Sequence, residues 1–122
     1  FTPGTVMSFT LLLKDSCKRF SINLQTGKPG LDSDVALHLN PRLELRHTVL
    51  NSKKSGVWGE EEKFPLAVIS EDGHGSQVFI EGKTVQIIIK AEPAHFQVRI
   101  FTDIMMNNLL NLFLWFIDHR QW

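Results

Sequence analysis

The chain reads as an all-β protein, an antiparallel sandwich or barrel. Three observations carry that reading. Apolar residues recur at every second position in four separate runs. Those runs are dense in β-branched and aromatic residues, which fit a pleated, half-buried surface. Turn-forming clusters separate the runs at short intervals, as in a protein of many short strands.

The first run is Phe20, Ile22 and Leu24, alternating with Ser21 and Asn23, and Gly27-Lys28-Pro29-Gly30 closes it. In the second, Val35, Leu37 and Leu39 alternate with Ala36, His38 and Asn40, so the first three are expected on a core. His47-Thr48-Val49-Leu50 follows, and the polar stretch from Asn51 to Gly56 reads as a turn. Glu71-Asp72-Gly73-His74-Gly75 and Glu81-Gly82 are further turns. Val85, Ile87 and Ile89 make the third run, with Ile88 rendering its second face apolar too. After a turn at Glu92-Pro93, Phe96, Val98 and Ile100 alternate with Gln97 and Arg99. Asp103 to Ile117 is ambiguous. Met105, Met106, Leu109, Leu110, Leu112 and Phe113 fit a helical stripe, whereas Leu112 to Ile117 reads as a strand buried on both faces. We read it as strand.

Composition narrows the function. The 122 residues suit one domain, 1–122, large enough to bury a core without disulfides. Thirteen Lys and Arg balance thirteen Asp and Glu, so nothing in the bulk charge draws the chain to nucleic acid. The 43% hydrophobic content argues against disorder. Cys17 is the single cysteine, expected as a small hydrophobe beside a core strand. That usage fits a reducing, cytoplasmic compartment. No secretory signal is visible at Phe1-Thr2-Pro3-Gly4. The longest apolar run, Leu109 to Ile117, falls short of the roughly 20 residues that insertion across a membrane needs.

Chemistry concentrates in Val35 to Arg42. If Leu37 and Leu39 face a core, His38, Asn40 and Arg42 share the other face, about 7 Å apart in succession. An imidazole, an amide and a guanidinium fork on one rigid strand suit the reading of several hydroxyl groups. Trp58 stands beside a turn and before Glu60-Glu61-Glu62, an awkward place for a core residue. Its flat face could cover the C–H patch of a sugar ring. Glu61 could orient Arg42 and accept from ligand hydroxyls. The plain alternative is a solvated outer face, with Trp58 packed inward.

Other chemistry is poorly supported. His38, His47, His74, His95 and His119 lack close ligand spacing, and one cysteine makes no zinc cluster, so no metal or other cofactor is expected. A glycosidase needs two carboxylates facing each other across the scissile bond, about 5–10 Å apart. Glu60, Glu61 and Glu62 are sequence neighbours and do not face one another. An enzyme is not expected.

His38-Leu39-Asn40-Pro41-Arg42, then Val49-Leu50-Asn51, then Trp58-Gly59-Glu60-Glu61, resemble the galectin carbohydrate-recognition signature. Arg19 to Leu24, Phe64-Pro65-Leu66 and Gly82 to Ile100 resemble strands of that family, so the likeness covers residues 1 to about 100. It implies a jelly-roll sandwich of two antiparallel sheets and a metal-independent lectin for β-galactosides, with glycans and glycoproteins as partners. It implies that His38, Asn40 and Arg42 read the axial 4-hydroxyl of galactose and that Asn51 and Glu61 hold the 6-hydroxyl. Trp58 would stack on the ring, and Arg42 and Glu61 would also touch the neighbouring sugar. It leaves open a homodimer and export by a route without a signal peptide. The sequence departs from the family pattern in three places. Lys63 stands where the family usually has an arginine, the stretch between Arg42 and Asn51 is short, and the sequence after Ile100 is atypical. A sandwich protein serving as a structural or protein-interaction module, with sugar binding weak or lost, is the second expectation.

Overall fold

The computed structural model describes residues 2–27, 33–65, 67–69, 75–77, 84–102 and 113–118. Strands β1 (Val6–Leu12), β9 (Thr84–Ala91), β10 (His95–Thr102) and β11 (Phe113–Asp118) form one antiparallel sheet in the order β1-β9-β10-β11. Strands β2 (Ile22–Gln25), β3 (Val35–Arg42), β4 (His47–Lys54), β5 (Val57–Trp58) and β6 (Glu62–Pro65) form the second, with both β5 and β6 paired to β4. Two short strands, β7 (Ala67–Ile69) and β8 (Gly75–Gln77), pair with each other.

The two larger sheets are held face to face by their apolar sides. Leu24, Leu37, Leu39 and Leu50 of the second sheet pack with Val85, Ile87, Ile89, Phe96, Val98 and Ile100 of the first. The runs at 85–89 and 96–100 therefore bury as their alternation predicts, and Ile88 lies half-buried on the opposite face. Cys17 is half-buried against this core. All-β architecture in two antiparallel sheets is as expected.

Two local expectations need correction. Val35 is buried but lies outside the central cluster, which takes Ala36 instead. The β3–β4 register shifts between Val35 and His38, and an irregularity of this kind breaks strict alternation. The expected turn from Asn51 to Gly56 is mostly strand, since β4 runs to Lys54. Only Ser55 and Gly56 turn, at φ of 51° and 79°, between the paired residues Lys54 and Val57. A two-residue hairpin with both centres at positive φ matches the twist of its strands, and so the polar residues before it stay in the ladder.

The short stretch after Arg42 is accounted for by a single 3₁₀ turn, Leu43–Leu45, closed by Arg46 in the left-handed region at φ 55°. It returns the chain directly from β3 to β4. At the far end, β11 pairs with β10, so Phe113–Asp118 is strand as read. The helical-stripe positions 103–112 lie outside the described residues, as do the turns at Lys28-Pro29-Gly30, Glu71 to His74 and Glu81-Gly82. Among the described residues, no helix is long and apolar enough to cross a membrane.

Candidate functional site

Register decides which side chains share the outer face of the second sheet. In β3 and β4, Leu39 faces Leu50 and both enter the core. Their neighbours therefore point the other way: His38 opposite Asn51, Asn40 opposite Val49, Arg42 opposite His47. On the edge strand β2, Asn23 stands opposite His38. On the other flank, Trp58 of β5 faces Lys53, and Lys63 of β6 faces Val49. One surface thus gathers His38, Asn40, Arg42, Asn51, Trp58 and Lys63.

The polar groups on β3 and β4 are tied down. Asn40 Nδ2 donates to the Phe20 carbonyl at 2.8 Å, and Asn40 Oδ1 accepts from Arg42 Nε at 2.9 Å. Asn51 Nδ2 donates to the Gly59 carbonyl at 3.1 Å, and its Oδ1 accepts from the Ser52 N–H at 2.8 Å. Asn51 thereby fastens the residue after Trp58 to the central strand. His38 Nδ1 meets Asn23 Oδ1 in a short hydrogen bond. Asn40 and Asn51 are only 8% and 5% exposed, so each amide lies low in the outer face between its protein partners. Crowding by protein partners on both sides of each amide accounts for this.

The flank is open by contrast. Trp58 is 46% exposed, which removes the inward-packed alternative. Its ring meets the His38 ring edge-on, with centroids 5.2 Å apart at 62°, and Lys53 Nζ lies 5.4 Å from its centroid. Glu60, Glu61 and Lys63 are exposed. The expected orientation of Arg42 by Glu61 is not found: among the described residues no ion pair joins them, and Asn40 holds the guanidinium instead. Arg42 Nε is already engaged by Asn40, two residues back on the same face of β3, whereas Glu61 precedes β6 on the exposed flank.

Burial holds the His38 imidazole below its ordinary pKa of 6.5; the Arg42 charge adds to this and the Glu61 carboxylate opposes it. His38 is therefore neutral near pH 7. Among the described residues, no group of three or more His, Cys, Asp or Glu could hold a metal ion.

What the arrangement can do chemically is bind a ligand rich in hydroxyl groups. It offers a hydrogen-bonding row beside an exposed aromatic plane. Asn23 and Lys53 belong to this surface and were not singled out from sequence. Alternation placed Asn23 opposite to Ile22 and Leu24, but only the β2–β3 register brings it to His38. Lys53 was hidden by reading 51–56 as a turn.

A family model, galactoside-binding lectin, matches residues 1–107. Human galectin-7 is 46% identical over 83 residues, 58% of this chain and 60% of that protein. Mouse galectin-7 is 45% identical over 60 residues, 49% of this chain and 43% of that protein. The chain thus spans about half the length of the curated relatives it matches. Among solved structures, toad ovary galectin in complex with thio-digalactose has a TM-score of 0.65 and 20% identity, covering 97% of this chain and 74% of that one. CG-16, a homodimeric agglutinin from chicken liver, has a TM-score of 0.64 and 24% identity, covering 98% and 75%. At these identities the two structures establish the fold, a galectin sandwich.

Proposed function

The chain belongs to the galectin family, a family of galactoside-binding lectins and not of enzymes, and from that premise we propose that it binds β-galactosides of the lactose or N-acetyllactosamine type. The site is the outer face of the five-stranded sheet, and binding needs no metal. The observation that carries this reading is the contact of His38 with an exposed Trp58, centroids 5.2 Å apart, on the face that also presents Arg42. Galactose has an apolar C–H patch on one side and an axial 4-hydroxyl. Trp58 would take the patch. The hydroxyl would donate to the neutral His38 and accept from the Arg42 guanidinium, whose free N–H groups remain after Nε bonds Asn40. Asn51 and Glu61 would meet the 6-hydroxyl. Arg42, Glu61 and Lys63 would reach the neighbouring sugar. Toad ovary galectin with its thio-digalactose supports the ligand class, and the homodimeric CG-16 supports pairing of two copies on glycoproteins.

Titration calorimetry tests this directly. Lactose should bind and cellobiose should not, because an equatorial 4-hydroxyl leaves His38 and Arg42 unpaired. Equal binding of both, or of neither, would overturn the reading. The absence of an Arg42–Glu61 ion pair among the described residues favours the second reading, a sandwich module with weak or lost sugar binding. That module would bind neither disaccharide.

A further inference from the structure

We infer that Asn23, on the edge strand β2, is a positioning residue: it fixes the tautomer of His38 so that the bare Nε2 lone pair faces an incoming hydroxyl. The inference rests on the function proposed above. It begins with register. Ile22 and Leu24 are drawn to the core, so Asn23 must stand on the opposite face. Antiparallel pairing then sets it directly across from His38, where Cβ atoms are about 5 Å apart. An asparagine side chain at that separation reaches the near nitrogen of the ring and not the far one. The contact is Asn23 Oδ1 to His38 Nδ1.

An amide oxygen only accepts, so Nδ1 must carry the proton. A neutral imidazole has one N–H and one acceptor, which leaves Nε2 as the acceptor. Among the described residues, no protein group bonds Nε2. A ligand hydroxyl is then the partner missing from an otherwise completed ring. The groups facing His38 agree with a neutral ring. Arg42, on the same strand, opposes a second proton; Glu61, before β6, favours one; Asn23 on β2, Asn51 on β4 and Trp58 on β5 carry no charge. Without Asn23, both neutral tautomers would be open to His38, and the one protonated on Nε2 would present a donor to a donor.

Long-range proton–nitrogen correlation of the histidine rings tests the lock in the protein without sugar. Wild-type His38 should show a pyrrole-type Nδ1 and a pyridine-type Nε2. Asn23→Ala should move both shifts toward an average of the tautomers. Asn23→Asp, which keeps an acceptor at the same place, should restore the wild-type pattern at a pH high enough to keep the ring neutral beside the new carboxylate, and the affinities are compared at that pH. Lactose affinity should follow the shifts: about fivefold weaker in Asn23→Ala, the factor corresponding to one hydrogen bond's net worth of about 1 kcal/mol, and recovered in Asn23→Asp. A wild-type His38 protonated on Nε2, or shifts that do not respond to Asn23→Ala, would overturn the inference. So would a loss of affinity that Asn23→Asp fails to recover. If the shifts respond as stated and wild type ignores lactose, the lock stands and the proposed function falls.

Discussion

The outer face of the five-stranded sheet has two halves that are held differently. On β3 and β4, His38, Asn40, Arg42 and Asn51 each have a protein partner, and the two asparagines are buried. On β5, β6 and the stretch between them, Trp58, Lys63 and Glu61 are exposed, and the two charged groups form no ion pair among the described residues. Topology explains the contrast. β3 lies between β2 and β4 and is braced on both sides, whereas β5 is two residues long and hangs from the end of β4. The difference matches two kinds of recognition. Reading the direction of a hydroxyl needs groups already oriented, or the ordering cost falls on binding. Covering an apolar patch needs only area, which a loosely braced indole supplies.

If that division holds, the largest effect comes from removing the area. Trp58→Ala should weaken lactose binding by at least about a hundredfold, as loss of a central aromatic anchor does. Stability should fall by no more than about 1 kcal/mol, because the ring is already 46% exposed and gives up mainly its edge contact with His38. Calorimetry and thermal melts of the same protein separate the two. A large drop in Tm would mean that β5 braces the sheet, and the two halves would not be separable.

The division also shows what sequence could reveal. Alternation gave the core strands, because one face of each strand is apolar and the other is not. It also put His38, Asn40 and Arg42 on the outer side. It could not give the depth of Asn40, which comes from the Phe20 carbonyl on a distant segment and from Arg42 two residues on. Nor could it give the partner of Arg42, since Glu61 has the right charge and only the fold shows that Asn40 is nearer. The extent of the β4–β5 hairpin was misjudged because Asn51, Ser52, Lys53 and Lys54 are polar for different reasons. The first two are buried in hydrogen bonds, while the rest of that run borders Trp58 and the turn.

An intermediate effect links the two halves through pH. Burial and Arg42 lower the His38 pKa from 6.5, and Glu61 partly restores it. A ligand that needs the bare Nε2 binds the neutral ring. Affinity should then stay level as pH falls through 6.5, and decline by up to about tenfold per unit only below the depressed folded value. Stability follows the same sign: the contribution of His38 is complete above 6.5, its unfolded value, and is lost as pH falls through the folded one. Glu61→Gln removes the influence that favours the proton, so the level range should extend to lower pH. Lactose titrations across pH on both proteins check this. A decline that begins above 6.5 would show that the ring is held charged rather than neutral.

The smallest effect belongs to Lys63, the most loosely held of the candidate residues. It stands opposite Val49, which in turn stands opposite Asn40, so it shares the outer face but lies two strands from β3. Its ammonium is a flexible point charge, exposed and in no ion pair among the described residues. Two positions along, roughly 7 Å by strand geometry, is Glu61. A guanidinium could bridge that carboxylate and a second sugar in one plane; an ammonium cannot. Lys63→Arg should therefore strengthen the contact with the second sugar and leave galactose itself untouched. A charge-assisted hydrogen bond is worth roughly 1.5–3 kcal/mol, but in this exposed place screening and side-chain ordering bring the gain nearer 1 kcal/mol. Lactose should tighten by about fivefold while free galactose stays within error. The ratio of the two affinities in each protein is the measurement, because any general change in the site cancels from it. A ratio that does not move would assign Lys63 to the solvent and confine recognition to the braced half and its indole.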